Sequence, residues 1–382
     1  MTGFASLRLG PVMLAALLVA PASLFAQPPG APVWRISPVP LVTVGEAGDL
    51  EFLRIGTIQL RGDGSFLVGN GDPPELRFFN AQGALQRTLG RTGDGPGEFR
   101  GLGWVGILGD STVAYDYNHR RLTIFSPDGT VLPTPPLPPS GRIGLAVSGR
   151  LRCGSWFASQ IEVLGRPGQR GLTRDSIHVA ILSSGLERIA HELGPFPAVT
   201  SVVISSGQGQ AARMAVGIAL FGASTLWGIA DSLIYTMDTA TPELVFWGCD
   251  GRRRHSITVP LPERPVPADV VQRLKEQAAS LARSEVSRSL AEARFASINL
   301  PKRLPRVRGI LSGPQGELWL EQYEADPRAS STWVVLDLRG RTLATLRSPD
   351  GFRFKSVTRD RVAGVYTDED GVESVRVYRL SR

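Results

Sequence analysis

The side chains able to carry chemistry are few and mostly dispersed. Four histidines, His119, His178, His191 and His255, do not offer the clustered donor set of a zinc site. The chain has no Gly-x-Ser-x-Gly elbow, Cys-x-x-Cys pair, His-Glu-x-x-His helix or P-loop, so hydrolase or nucleotide chemistry of those types is not indicated. Glycines 90, 93, 95 and 97 suggest a phosphate cradle, but no helix follows them to supply an anion site. Asp368-Glu-Asp-Gly371 lacks the ligand spacing of an EF-hand loop and reads as a hairpin. One set does gather: Arg91, Asp94, Glu98 and Arg100 in a glycine-rich stretch, with Tyr117, His119 and Arg120 shortly after. Arginine engages carboxylates bidentately and stacks on rings, so this set suits binding of an anionic or glycan-like ligand. No catalytic residue and no metal ligand is assigned.

The elements that must position this set are short strands. Gly90 to Phe99 holds four glycines and a proline and can only be a loop. Strand-like runs follow over 103–109, 111–116 and 121–125, and Ser126-Pro-Asp-Gly129 turns the chain into 130–132. The same punctuation recurs over 57–89, 143–193, 226–260, 306–346 and 354–380. Six units over the mature chain give about 59 residues each, longer than the roughly 40–50 of compact propeller repeats, so insertions make up the difference. Four-stranded antiparallel units repeated radially form a β-propeller, which protects sheet edges by closure. The last unit is one strand short, and Trp34 to Val44 can supply it. The expected fold is therefore all-β, a six-bladed β-propeller whose N-terminal strand closes the last blade.

Gly93-Asp-Gly-Pro-Gly-Glu-Phe99, then Asp116-Tyr-Asn-His-Arg-Arg-Leu-Thr-Ile-Phe125 and Asp128-Gly129, resembles the NHL repeat of bacterial six-bladed propellers. The match is close over about 45 residues and turn-level elsewhere. Asp116 and Arg121 fall where the pattern has its Asp and Arg, and both read as structural. His119 takes the place of the pattern's asparagine, and Asn118 stands one position early. The resemblance implies a propeller whose ligand face carries the connectors between second and third strands and the links between blades. It also implies an alternative, a calcium-dependent hydrolase or lyase of lactonase type acting at the central channel. The inner-strand ends on that face offer Glu51, Arg54, Arg100, Arg142 and Arg353, which is not a ring of carboxylates and amides.

Three long insertions, 159–174, 194–223 and 261–305, emerge on the ligand face and argue for a partial cap over the channel mouth. The third lies between blades 4 and 5 and contains a helix: Pro267 and Asp269 suit its first turn, and Val270, Val271, Leu274, Ala278 and Leu281 form an apolar stripe. The opposite side mixes Arg273, Glu276, Arg283 and Glu285, which fits packing on the propeller rather than on lipid.

The 382 residues include 43 glycines and 29 prolines, which disfavours a helical bundle. Net charge is +7, but the 42 basic residues are spread along the chain without a reader motif, so nucleic acid is not an expected partner. Arg8, the apolar run Met13 to Ala20 and the small-residue segment ending at Ala26 read as a signal peptide over 1–26, with the propeller at 27–382. That run is too short to span a bilayer, so no stable membrane anchor is expected. The expected location is periplasmic or extracellular. Cys153 and Cys249 are the only cysteines, and the strand reading keeps them as two separate thiols. The functional expectation is an exported binding module for a peptide, polysaccharide or protein partner, with no cofactor; calcium enters only with the lactonase-like alternative.

Overall fold

The computed structural model describes residues 30–46, 50–139, 144–160, 171–206, 213–282, 288, 294–295, 300–326 and 328–382. The expected signal peptide, Arg142, Arg283 and Glu285 lie outside the described residues.

Six antiparallel meanders follow one another along the chain. Blade 1 is Thr57–Leu60, Phe66–Gly71, Pro74–Phe79 and Leu85–Leu89, and blade 2 is Leu102–Leu108, Ser111–Asp116, Arg121–Phe125 and Val131–Leu132. Blade 3 is Leu145–Arg150, Trp156–Gln160, Ser176–Leu182 and Ile189–Pro197. Blade 4 is Thr225–Ala230, Leu233–Asp238, Glu243–Trp247 and Arg253–Thr258, and blade 5 is Val307–Ser312, Leu318–Gln322, Thr332–Leu336 and Thr342–Arg347. Blade 6 has Phe352–Val357, Arg361–Thr367 and Glu373–Ser381, and the N-terminal strands Arg35–Ile36 and Val42–Val44 complete it by pairing with Glu373–Ser381. Arg35 faces Ser381 and Val42 faces Val377, so first residues are zipped to last.

The second strands are buried almost throughout, as in Phe66–Asn70 and Leu318–Gln322, because both faces of each sheet meet a neighbouring sheet. Six apolar clusters result, one at each junction between successive blades. Ile58 and Phe66 of blade 1 meet Val44, Val365 and Val377 of blade 6, and Trp319 and Trp333 of blade 5 meet Phe354 and Tyr378 of blade 6. The remaining junctions are filled likewise. The six innermost strands touch in a closed cycle, so the sheets form the ring of a propeller. Two-residue hairpins such as Asp128-Gly129 lie on one face; Gly129 has φ +94°, a value open to glycine at no steric cost.

The described parts of the insertions leave and rejoin the blades at the opposite face, as expected, and they are not all loop. Gly171–Thr173, Ser201–Ser206 and Arg213–Ile218 pair into a seventh, three-stranded sheet. The third insertion carries the expected helix, Ala268–Leu281. Its stripe packs only as far as Leu274, against Phe221, Leu304, Tyr323 and Ala325, while Leu281 is 71% exposed.

The cysteines depart from expectation. Cys153 and Cys249 form a disulfide with a Cα–Cα distance of 6.7 Å. Cys153 lies in the turn between the first two strands of blade 3, and Cys249 in the turn between the last two of blade 4. Both turns emerge on the hairpin face of adjacent blades, which brings together residues 96 positions apart. The Arg152–Asp231 ion pair at 3.0 Å reinforces the same junction.

Candidate functional site

The residues singled out from sequence meet where the link from blade 1 to blade 2 passes the connector of blade 2. Gly90 opens the link with φ +82°, and a Cβ there would lie 2.4 Å from the Phe99 ring, so the turn admits no side chain. Phe99 is fully buried and pins the far end of the loop between blades 1 and 2. Between these fixed ends, Arg91 pairs with Glu98 at 2.7 Å, and Arg100 grips Asp94 through two hydrogen bonds of 2.8 Å.

Asp116, at the end of its strand and fully buried, organises the connector. Its carboxylate accepts from the backbone N–H groups of Arg100, Asn118 and His119 and from the His119 ring. His119 bridges two carboxylates, Nδ1 to Asp116 at 2.7 Å and Nε2 to Asp94 at 2.8 Å. Those two bonds raise the His119 pKa, and the Arg100 and His119 bonds hold Asp94 well below the usual carboxylate range. Burial alone would push Asp116 up, but the N–H groups of Arg100 and His119 outweigh it and bring it down. Arg121 donates to the carbonyls of Asp94, Gly95 and Glu98, bracing the loop from below.

Arg91, Asp94, Glu98, Arg100 and His119 are thus brought into one network, with most of their polar atoms turned on each other. Tyr117, 47% exposed, lies over the backbone of Gly101, and Arg120 is exposed with φ +51°. Arg91, Asp94 and Arg100 stay exposed beside Tyr117 and Arg120, so the outer side of the network is a patch suited to surface recognition.

A second group stands at the channel mouth between blades 5 and 6, and of it the sequence reading named only Arg353. The innermost strands of both blades carry a bulge. Pairing skips from Val307 to Gly309 and from Phe354 to Ser356, so the extra residues are Arg308 and Lys355. A bulge re-aims the side chain it inserts. The Arg308 guanidinium lies 5.1 Å from the centre of the Tyr323 ring and donates to the Glu324 carbonyl. Lys355 Nζ lies 3.4 Å from the Gly56 carbonyl at the entry to blade 1. Burial, then the neighbouring Arg353, lowers the Lys355 pKa; burial, then Arg308, lowers that of Arg353. Of the acids here, Glu321 is pushed up by burial while accepting from the Ser331 hydroxyl at 2.7 Å, and Glu373 accepts the Ile55 N–H at 2.8 Å. Glu51 and Arg54, also named from sequence, belong to the link into blade 1, where Arg54 pairs with Asp72 at 3.4 Å.

The cap stands beside this mouth. Its two legs pair at Pro265 and Arg303, and Arg264 binds Glu324 at 3.2 Å while Tyr323 packs under the helix. A separate cleft of about 400 Å³ on blade 3, beside Pro139 of the link from blade 2, is lined by Leu145, Gln160, His178 and Glu192 among others. His178 Nδ1 sits 3.0 Å from Glu192, so this histidine lines a polar cleft.

No protein-family model matches the sequence, and no curated protein matches it either. Solved structures do match in shape. A Bacteroides fragilis protein described as a candidate exported protein has a TM-score of 0.52 at 12% identity, over 92% of this chain and 96% of that one. A member of the DUF4221 family from Bacteroides vulgatus has a TM-score of 0.49 at 10% identity, over 92% and 99%. A calcium-binding regucalcin from Agrobacterium tumefaciens has a TM-score of 0.39 at 11% identity, over 90% and 96%. At these identities the likeness is one of fold, in keeping with the propeller-like, nearly all-β ring of antiparallel sheets described above.

Proposed function

We propose that this chain is an NHL-like six-bladed propeller that acts, after export, as a binding module, and that its ligand meets the face bearing the insertions. The observation that carries this reading is the one-sidedness of the molecule. The described parts of the long insertions, the extra sheet and the helix among them, share one face with both arginine-rich clusters, while the other face carries tight hairpins and the disulfide. Long loops on a rigid scaffold are where recognition concentrates. Export is supported by the N-terminal signature and by a disulfide, which persists in oxidising compartments. No described helix is long and apolar enough to cross a membrane.

Arg91, Tyr117 and Arg120 supply outward contacts to a peptide, cell-surface polysaccharide or protein partner, and Asp94, Glu98, Arg100 and His119 hold them in place. The test is retention of the full mature chain on peptide, polysaccharide and envelope-protein arrays. The variant carrying Arg91→Ala, Tyr117→Ala and Arg120→Ala is expected to lose retention, and Arg339→Ala on the hairpin face to keep it. Equal retention by both variants would remove the reading. Stoichiometric calcium with turnover of lactone or phosphotriester substrates would replace it with the hydrolase alternative.

A further inference from the structure

We infer that the cleft on blade 3, beside the link from blade 2, binds a small uncharged polyhydroxyl ligand, one sugar unit in size, through Gln160, His178 and Glu192. The inference goes beyond the outer patch of Arg91, Tyr117 and Arg120 and does not depend on it.

The cleft has a cause in the sequence. The fourth strands of blades 1, 4 and 5 run for five or six residues, but that of blade 2 is only Val131–Leu132. The link that follows, Pro133-Thr-Pro-Pro-Leu-Pro-Pro139, has too few backbone donors to continue the ladder. Leu132 pairs with Ile124, so residues 121–123 of the third strand have no outer pairing among the described residues. Blade 2 therefore covers blade 3 less at the insertion-bearing end than at the hairpin end. Leu145 and Ala180 lie on the side of blade 3 turned to blade 2, and the cleft of about 400 Å³ opens over them. That size is at the small end of the roughly 300–1,000 Å³ of small-molecule sites.

The sheet is also altered where the histidine stands. The outer strand pairs of blades 1, 4 and 5 each carry one bulge, near the hairpin end. Blade 3 has that bulge and a second one, where Gly194 and Pro195 stand opposite His178 alone. On its other side, the pairing with the second strand stops at Ser159 and Val179, and the Gln160 side chain accepts the His178 N–H at 3.1 Å. Such distortions re-aim side chains and recur beside functional sites.

The polar groups are complementary to hydroxyls. His178 Nδ1 lies 3.0 Å from the Glu192 carboxylate, which accepts its proton and leaves Nε2 of the neutral ring as an acceptor. Gln160 commits its Oε1 to the His178 N–H, so its contribution to the cleft is the amide donor pair. Glu192, 51% exposed, adds further acceptor capacity. A hydroxyl both donates and accepts, so neighbouring hydroxyls on one ring can satisfy donor and acceptors together. Leu145, Ile189 and Pro139 supply apolar contact for the C–H groups of that ring. No arginine or lysine is among the described lining residues, so an anion would meet the Glu192 charge without a guanidinium or ammonium to offset it; nor do Phe, Tyr or Trp rings line the cleft to cage an alkylammonium.

The experiment is a nuclear magnetic resonance titration of the full chain from residue 27, read at the ring C–H signals of its four histidines. The probes are the methyl glycosides of glucose, galactose and mannose, and N-acetylglucosamine, with acetate and methylammonium as charged comparisons. His178 is assigned by the signals missing from His178→Asn. At least one sugar is expected to shift the His178 signals saturably, and neither ion to do so. Glu192→Gln should weaken that sugar by about tenfold, read at His178, and His178→Asn likewise, read by saturation transfer to the sugar. Both side chains are partly exposed, so both variants should keep the wild-type far-ultraviolet spectrum; if one does not, the other carries the comparison. Silence of His178 toward every sugar, a response to methylammonium or acetate alone, or undiminished sugar binding by the folded variants overturns the inference. His119 reports the outer patch separately, and a sugar that shifts His119 without His178 also overturns it while favouring that patch. A His178 response in a chain that no array retains leaves the cleft standing and removes the outer patch.

Discussion

Asp116 shows how one side chain can fix a loop that would otherwise be free to move. It is fully buried and accepts three backbone N–H groups besides the His119 ring. Truncation to alanine leaves those donors without an acceptor, and each unsatisfied buried group costs about 1–3 kcal/mol. We expect Asp116→Ala to lower the unfolding free energy by about 3 kcal/mol in urea denaturation; a loss under about 1 kcal/mol would contradict the role given to it. His119 adds a pH signature. Its folded pKa is raised, so its contribution is complete below its unfolded value of about 6.5 and is lost as pH rises through the folded value. Asp94 and Asp116 are lowered, so theirs is complete above an unfolded value of about 3.9 and is lost as pH falls through their folded values. Stability from this network is greatest between about pH 4 and 6.5. Denaturation at several pH values should show a decline above that window in the wild type that is absent in His119→Gln. Identical slopes in the two proteins would exclude the histidine as its source.

At the scale of elements, the disulfide joins two hairpins of successive blades. It closes a loop 96 residues long, and removing a native cross-link of that reach costs about 2–5 kcal/mol. Replacing both Cys153 and Cys249 by serine should reduce stability by that amount, and a reductant should affect the wild type but not the double variant. An intact mass showing two free thiols in purified protein would refute the pairing. The sequence made most of the strands legible because turn residues punctuate them. The runs read at 57–60, 111–116 and 121–125 coincide with strands, and the closing N-terminal segment pairs as expected. The disulfide stayed hidden because strand assignment does not reveal how neighbouring blades set their turns side by side. Arg308 and Lys355 stayed hidden for a related reason. A bulge leaves one residue of a strand without a pairing partner, and which residue that is depends on the pairing with the neighbouring strand. The loop cluster was readable because its glycines and acids are local in sequence, whereas the mouth is assembled from strands of two blades and the cap.

For the molecule as a whole, ring closure depends on a short stretch of chain. Arg35–Ile36 and Val42–Val44 pair along the outer edge of Glu373–Ser381, with Phe52 bridging Glu373 at its start, and Val44 also belongs to the apolar cluster joining blade 6 to blade 1. The Trp34 ring lies 5.4 Å from that of the buried Trp319, with the Arg382 guanidinium 4.4 Å from its centre, so the same segment ties down blade 5 and the C-terminus. Without it, a long strand edge is exposed, and the junction that turns a row of sheets into a ring loses one of its walls. A chain starting at residue 45 is therefore expected to melt well below one starting at residue 27 and to associate through the uncovered edge. Differential scanning calorimetry and light scattering would record the two effects. A peptide spanning residues 30–46, added in excess, should bind the shortened chain and restore part of the melting temperature, because it supplies both the missing pairing and the missing apolar contacts. A shortened chain that stays monomeric and melts with the full-length protein would mean that the other five junctions hold the ring alone, and that the zipped ends contribute nothing to its closure.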